Sequence, residues 1–181
     1  MNYYGAKELA AAFRTVRKNT IIIAEDVGEQ HYGFRATPNT RTIAETLLHV
    51  AVTPRMTHQI HGVDHLSDMN GFDFMTFFGG LIMVEKAPHT KAQVIALLKE
   101  EGERYAGWVD GLSDEFLAER VTLPFGQGSK SRFEALLSPK EHEMHHRGQL
   151  MLLERMVGIT PHLTRQMQER LEAMQSAKAG S

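Results

Sequence analysis

The residues in this sequence best suited to chemistry are its histidines, ten in 181 positions with no cysteine beside them. Two His pairs have i,i+4 spacing, His61/His65 and His142/His146, and their settings differ. His142, His146, Gln149, Leu153 and Met156 repeat at spacings of 4, 3, 4 and 3. That places both imidazoles on a helical stripe that continues as core. Neutral polar groups aimed at a core need partners, because an unpaired one costs of order 1–3 kcal/mol. Spacing alone leaves two partners open. One is a metal ion, which two imidazoles one turn apart can reach at about 2 Å; the other is hydrogen bonding within a buried His pair. His145 is turned about 60° from His142 around the helix and is less well placed. His58, His61 and His65 give H-x-x-H-x-x-x-H, but they straddle Gly62 in a stretch of turn composition beyond Pro54. That pattern reads as a His-rich polar loop.

A third ligand has to come from another element, and His49 is the best placed. Glu45 lies one turn earlier and could accept the second ring N–H of His49, the carboxylate–histidine arrangement that fixes a ligand's tautomer. His49 sits about 120° around its helix from the Ile43/Leu47/Val50 stripe. It faces inward only if that helix is buried on a second side, which Leu48, Ala51 and Val52 allow. Glu143, Glu45 and His145 are the acid–base candidates near these ligands, and none has a spacing signal of its own. Arg147 could hold an anionic group on a substrate, or pair with Glu143 at i,i+4.

The elements that must position these residues are helical. Leu9, Phe13, Val16, Thr20, Ile23 and Val27 mark an amphipathic helix over residues 7–27, closed by Gly28. A second starts at Thr42, which has capping-box spacing to Glu45, and ends or kinks near Pro54. Residues 62–89 read as a long connection holding one short helix over 74–84. Its Phe72, Phe74, Phe77 and Phe78 either plug the core or close over a site. A third long helix follows Thr90, with Glu101 at the edge of its apolar face, where it reaches solvent. The last long helix covers residues 131–157. Pro139 inside it leaves open whether it starts at Ser131 or restarts at Ser138. Helix resumes over 161–175, and 176–181 is expected to be a frayed tail. Four long helices, a long crossover and little strand pattern make an all-α bundle, one domain over residues 1–175.

Composition narrows the function. A net charge of −2 lacks the basic surplus of a phosphate-tracking nucleic-acid binder. No apolar run approaches the roughly 18 residues of a membrane span, and no secretory signal is visible, so the expected location is the cytoplasm. Without cysteine there are no thiolate metal sites, disulfides or Cys nucleophiles.

The run His142-Glu143-Met144-His145-His146-Arg147-Gly148-Gln149-Leu150 resembles the H-x-x-x-H-R-G-Q-[LM] signature of the DinB/YfiT-like metalloenzyme family. Residues 42–50 are similar to its T-x-x-E-x-L-x-H-V entry to the second helix, and the likeness extends over residues 5–160. The resemblance implies a four-helix bundle in up-down-down-up order, with a long crossover and a short C-terminal helix, usually a homodimer. It implies His49, His142 and His146 around a divalent metal, zinc or nickel in most members; an all-imidazole set suits iron or copper as well. It also implies two activities, thiol S-transfer or hydrolysis at an open coordination position. For the first, a low-molecular-weight thiol and a small electrophile are the partners, since the chain has no thiol of its own. The alternative is a non-catalytic, stress-related metal-binding homodimer. Pro139 departs from the family's pattern.

Overall fold

Several helices begin where the chain supplies a side-chain cap. In the computed structural model, which describes residues 4–179, Thr42 and Glu45 exchange the reciprocal capping bonds that open α2 (Ile43–Val52), at 3.0 and 2.8 Å. Thr90 and Gln93 do the same for α5 (Lys91–Asp110), and Ser131 and Glu134 for the short α7 (Arg132–Leu136). The first helix, α1, is Ala6–Asp26. Pro54 ends α2 but not the helical path, which continues through α3 (Pro54–His58) and a π turn, Gln59–Val63. Gly62 fits this turn because a Cβ there would lie 2.9 Å from the Trp108 ring.

The crossover is more ordered than its composition suggests. It contains α4 (Phe74–Lys86), which packs against α2. The hairpin β1 (Arg120–Thr122) and β2 (Ser129–Ser131) follows the short α6 (Asp114–Ala118). The last long helix, α8, is Ser138–Met156, with Pro139 in its first turn. Leu137 keeps helical dihedrals between α7 and α8, so the helical path that starts after Ser131 carries on into α8. No side-chain cap opens α8. The final helix, α9 (His162–Ala179), includes most of the residues expected to fray; 180–181 lie outside the described residues. No helix among the described residues is long and apolar enough to cross a membrane.

The bundle order follows from cross-links between helices. Arg14 pairs with Glu103 and Asp110, and Glu25 with Lys99, so α1 and α5 are antiparallel. Arg55, just past α2, bonds Glu101, and Arg17 reaches both Val50 and Leu98, so α2 and α5 run parallel. Arg17 also meets Glu143, and Asp26 lies near Glu154, so α8 is parallel to α1. The four helices α1, α2, α5 and α8 therefore run up-down-down-up. Ile23, Leu47, Leu48, Leu98 and Leu150 fill the core at one end; Leu9, Phe13, Tyr105 and Leu136 fill it at the other.

Arg17 joins all four helices. Its Nε and Nη2 hold the Glu143 carboxylate, Nη1 donates to Leu98 O at 2.9 Å, and Nη2 donates to Val50 O at 2.7 Å. The Val50 carbonyl needs that donor, because its usual helical partner would be the N–H that Pro54 lacks. Gly102 makes room for the arginine stem, since a Cβ there would lie 2.7 Å from Arg17 Cγ. Glu101, expected to reach solvent, is buried and held by Arg55 and Arg104.

Two stability predictions follow from the buried charges. Arg17→Met should lower the unfolding free energy by about 3–5 kcal/mol, because it strands Glu143 in the core. The double substitution Arg17→Met, Glu143→Leu should recover a large part of this in urea titrations. Glu154 is also buried, with neither carboxylate oxygen hydrogen-bonded. Burial, then repulsion from Asp26, pushes its carboxyl up to about 7. The folded state therefore holds a proton that the unfolded state has released, and stability contributed by this group falls as pH rises from about 4.5 to about 7. Glu154→Gln should remove that decline, a gain of order 1–3 kcal/mol at pH 8, read as a flatter pH dependence of the urea midpoint.

Candidate metal centre

The antiparallel pairing of α2 and α8 brings His49 opposite His142 and His146. His142 Nε2 lies 3.1 Å from His49 Nε2 and 3.2 Å from His146 Nε2. One donor atom from each of the three falls within 4.8 Å of the others. The i,i+4 spacing on α8 supplies two of them, and the buried second side of α2, formed by Leu48, Ala51 and Val52, turns the third inward.

The far nitrogens of two rings are fixed by acceptors. His49 Nδ1–H donates to Glu85 Oε1 at 2.6 Å, and His146 Nδ1–H donates to Gln149 Oε1 at 2.8 Å. An acceptor at Nδ1 assigns the proton there and leaves the Nε2 lone pair for the centre. Gln149 in turn donates its amide to His145 Nε2 at 3.0 Å. The other Glu85 oxygen accepts from Arg41 Nε at 2.9 Å, completing the line Arg41–Glu85–His49. Burial opposes the charge on Glu85, but the bonds to His49 and Arg41 outweigh it and hold its pKa below the usual glutamate value. Burial, then the neighbouring histidines and Arg41, lowers His142 to about 4. His146 is likewise lowered to about 4 by burial first, against the hydrogen bond to Gln149. Both rings are neutral at pH 7, the form in which imidazole binds metal.

This donor set fits a divalent cation. Two nitrogens each 2.0–2.1 Å from one ion in a tetrahedral arrangement are separated by about 3.3 Å, close to the observed spacing. Two clefts open on the centre. One, of about 660 Å³, is lined by His146 and Gln149 together with Arg35, Arg41, Ile82 and Lys86. The other, of about 400 Å³, is lined by His49 and His142 with Arg41, Phe78, Leu81 and Ile82.

Several expected roles fall elsewhere. Glu45 does not accept from His49; it is spent on the α2 cap and on Lys86 at 2.7 Å, and Glu85 takes the role instead. Glu85 lies one turn beyond Leu81, and both are buried. An acid on the buried face of the apolar run Leu81-Ile82-Met83-Val84 was the available signal. Glu143, an acid–base candidate, is turned to Arg17 with both oxygens engaged, so it has none free for proton transfer. Arg147 consequently makes no pair with Glu143. His145 is exposed; it accepts from Gln149 and its ring meets that of His146 edge-on, at 5.0 Å between centroids. His58 packs on Trp108, His61 accepts from Arg132 at 3.0 Å, and His65 pairs with Glu119. None of the three joins the centre. Of the Phe segment, Phe78 lines the smaller cleft, and Phe72 packs against Phe74 and Phe77.

An up-down-down-up helical bundle with three inward imidazoles at one face is a helical fold carrying a three-histidine cluster that could hold a metal ion. The chain belongs to the DinB superfamily, whose model matches residues 12–150. It is 22% identical over 156 residues to the uncharacterized protein YjoA of Bacillus subtilis (strain 168), covering 86% of this chain and 92% of that protein. The crystal structure of YjoA, a DinB-like protein, superposes with a TM-score of 0.63 at 20% identity, covering 84% of this chain and 94% of that one. YfiT of B. subtilis, described as a probable metal-dependent hydrolase with an unusual four-helix bundle topology, gives a TM-score of 0.67 at 15% identity, covering 88% and 91%. At these identities the two structures establish a shared fold.

Alanine at His49, His142 or His146 should abolish stoichiometric binding of a divalent metal, measured as metal content after dialysis, whereas His61→Ala should leave it intact. Glu85→Gln should weaken metal affinity by about 10- to 100-fold, the range for losing a ligand's hydrogen-bond partner.

Proposed function

We propose that this protein is a divalent-metal-dependent enzyme in which His49, His142 and His146 hold the ion, zinc or nickel, with a coordination position left open to substrate. The observation that carries this reading is the convergence of three Nε2 atoms while Glu85 and Gln149 take the opposite nitrogens of two rings. A cation in such a site supplies positive charge that acidifies a thiol or water and polarises a carbonyl.

The residues around it favour a particular reaction class. Among the described residues Glu85 is the one carboxylate lining either cleft, and both its oxygens are used. With no side-chain base free, the nucleophile has to give up its proton easily. A thiol gives up its proton at a pKa of about 8.5 unaided, whereas water, at about 15.7 in bulk, depends wholly on the ion to bring it to about 7. We therefore favour transfer of a low-molecular-weight thiol to a small electrophile. Phe78, Leu81 and Ile82 provide an apolar wall for that electrophile. Hydrolysis is the second reading, favoured by the description of YfiT. The homodimer is part of the proposal too, and exposed Met167, Leu171 and Met174 give α9 an apolar stripe available to it.

The test is an assay of the metal-loaded protein with a small thiol and chlorodinitrobenzene, and separately with a nitrophenyl ester alone. The expected result is conjugation that needs both thiol and ion and drops to background in His142→Ala. Ester cleavage without thiol, lost in the same variant, would transfer the assignment to hydrolysis. Turnover that survives chelation and His142→Ala would refute both.

A further inference from the structure

Arg41 has a position that holding Glu85 does not exhaust. It lines both clefts, and only its Nε is engaged, by Glu85 Oε2. Neither terminal nitrogen has a partner among the described residues, and the side chain is 41% exposed. Around it the larger cleft carries Arg35 and Lys86, so three cationic side chains face a single carboxylate whose oxygens are both taken. Glu45, behind this wall, answers Lys86 at 2.7 Å and Arg35 at 3.6 Å, and its own capping bond occupies it further. A divalent ion on three neutral ligands would add to the imbalance, because imidazoles bring no negative charge.

A guanidinium held at Nε presents its two Nη groups as a fork that matches a carboxylate or a phosphate edge. The geometry points to an anion subsite on the Nη groups of Arg41, beside the three histidines, that takes a small substrate bearing a carboxylate or phosphate group. Arg35 and Lys86 add long-range attraction at the mouth of the cleft. Ile82 and Leu152 offer the remainder of the molecule an apolar wall. Arg41 is thus a specificity-determining residue: it selects anionic over neutral substrates and sets their distance from the centre, while Glu85 keeps the guanidinium in place. This rests on reading the clefts as the substrate site of the proposed enzyme.

The test is titration calorimetry on the metal-loaded protein with three probes: succinate, its uncharged counterpart succinamide, and inorganic phosphate. Metal content is measured on the same samples. Succinate or phosphate should bind at least roughly tenfold more tightly than succinamide, and whichever of the two carries the preference identifies the anion. Arg41→Met, brought to the same metal occupancy as the wild type, should erase that preference, and Arg41→Lys should restore part of it. A preference that persists in Arg41→Met places the anion on the ion itself and overturns the inference, as does equal or undetectable binding of all three probes. Wild-type protein that takes up no metal yet shows Arg41-dependent anion binding would keep this inference and refute the metal-enzyme reading.

Discussion

The side chain of Arg17 is the interaction on which the other contacts depend. From α1 it binds the Glu143 carboxylate on α8, the Val50 carbonyl on α2 and the Leu98 carbonyl on α5. A buried guanidinium tolerates little displacement of its acceptors, because each one lost leaves a desolvated charge or dipole unpaired. Two of those acceptors belong to the chain neighbours of His49 and His142. The rotation and height of α2 and α8 are therefore set from inside the bundle. Residue 143 is turned about 100° from 142, so the face of α8 that grips Arg17 differs from the face that presents histidines to α2.

The histidine centre obeys a second constraint. Nitrogens 3.1 and 3.2 Å apart cannot all carry protons that point at one another. Glu85 and Gln149 resolve this by drawing the protons of His49 and His146 to the outer nitrogens. Glu85 arrives on the crossover helix α4, which links α2 to the parallel α5. The up-down-down-up order obliges the chain to make a long return between its second and third long helices. That return supplies both the carboxylate behind His49 and the apolar wall of the smaller cleft.

The sequence made some of this readable, and the pattern of success is physical. Helix spacing and capping pairs are local, so the four long helices, the caps at Thr42, Thr90 and Ser131, and the His142/His146 face could be read from the chain. His49 needed the second apolar side of α2 and the family resemblance, because its own stripe points elsewhere. Roles set by partners distant in sequence could not be read. Glu143 looked like an acid–base residue because Arg17 lies 126 positions away. Glu45, one turn from His49, is the acceptor that local spacing offers, whereas Glu85 meets that ring across 36 positions. Glu101 looked solvated because nothing local announces that Arg55 and Arg104 neutralise it. Pro54 leaves an end or a kink open in the sequence; Arg17 replaces the donor that proline removes, and the helical path continues.

The central claim is that three imidazoles hold one divalent ion in this protein. X-ray absorption at the metal edge of the purified native protein addresses it most directly, since it reports which ion is present and which atoms surround it. One ion per chain with about three imidazole nitrogens at roughly 2.0–2.1 Å is the predicted result. A spectrum with no imidazole scattering, or protein that carries no ion when supplied with zinc and nickel, would contradict it.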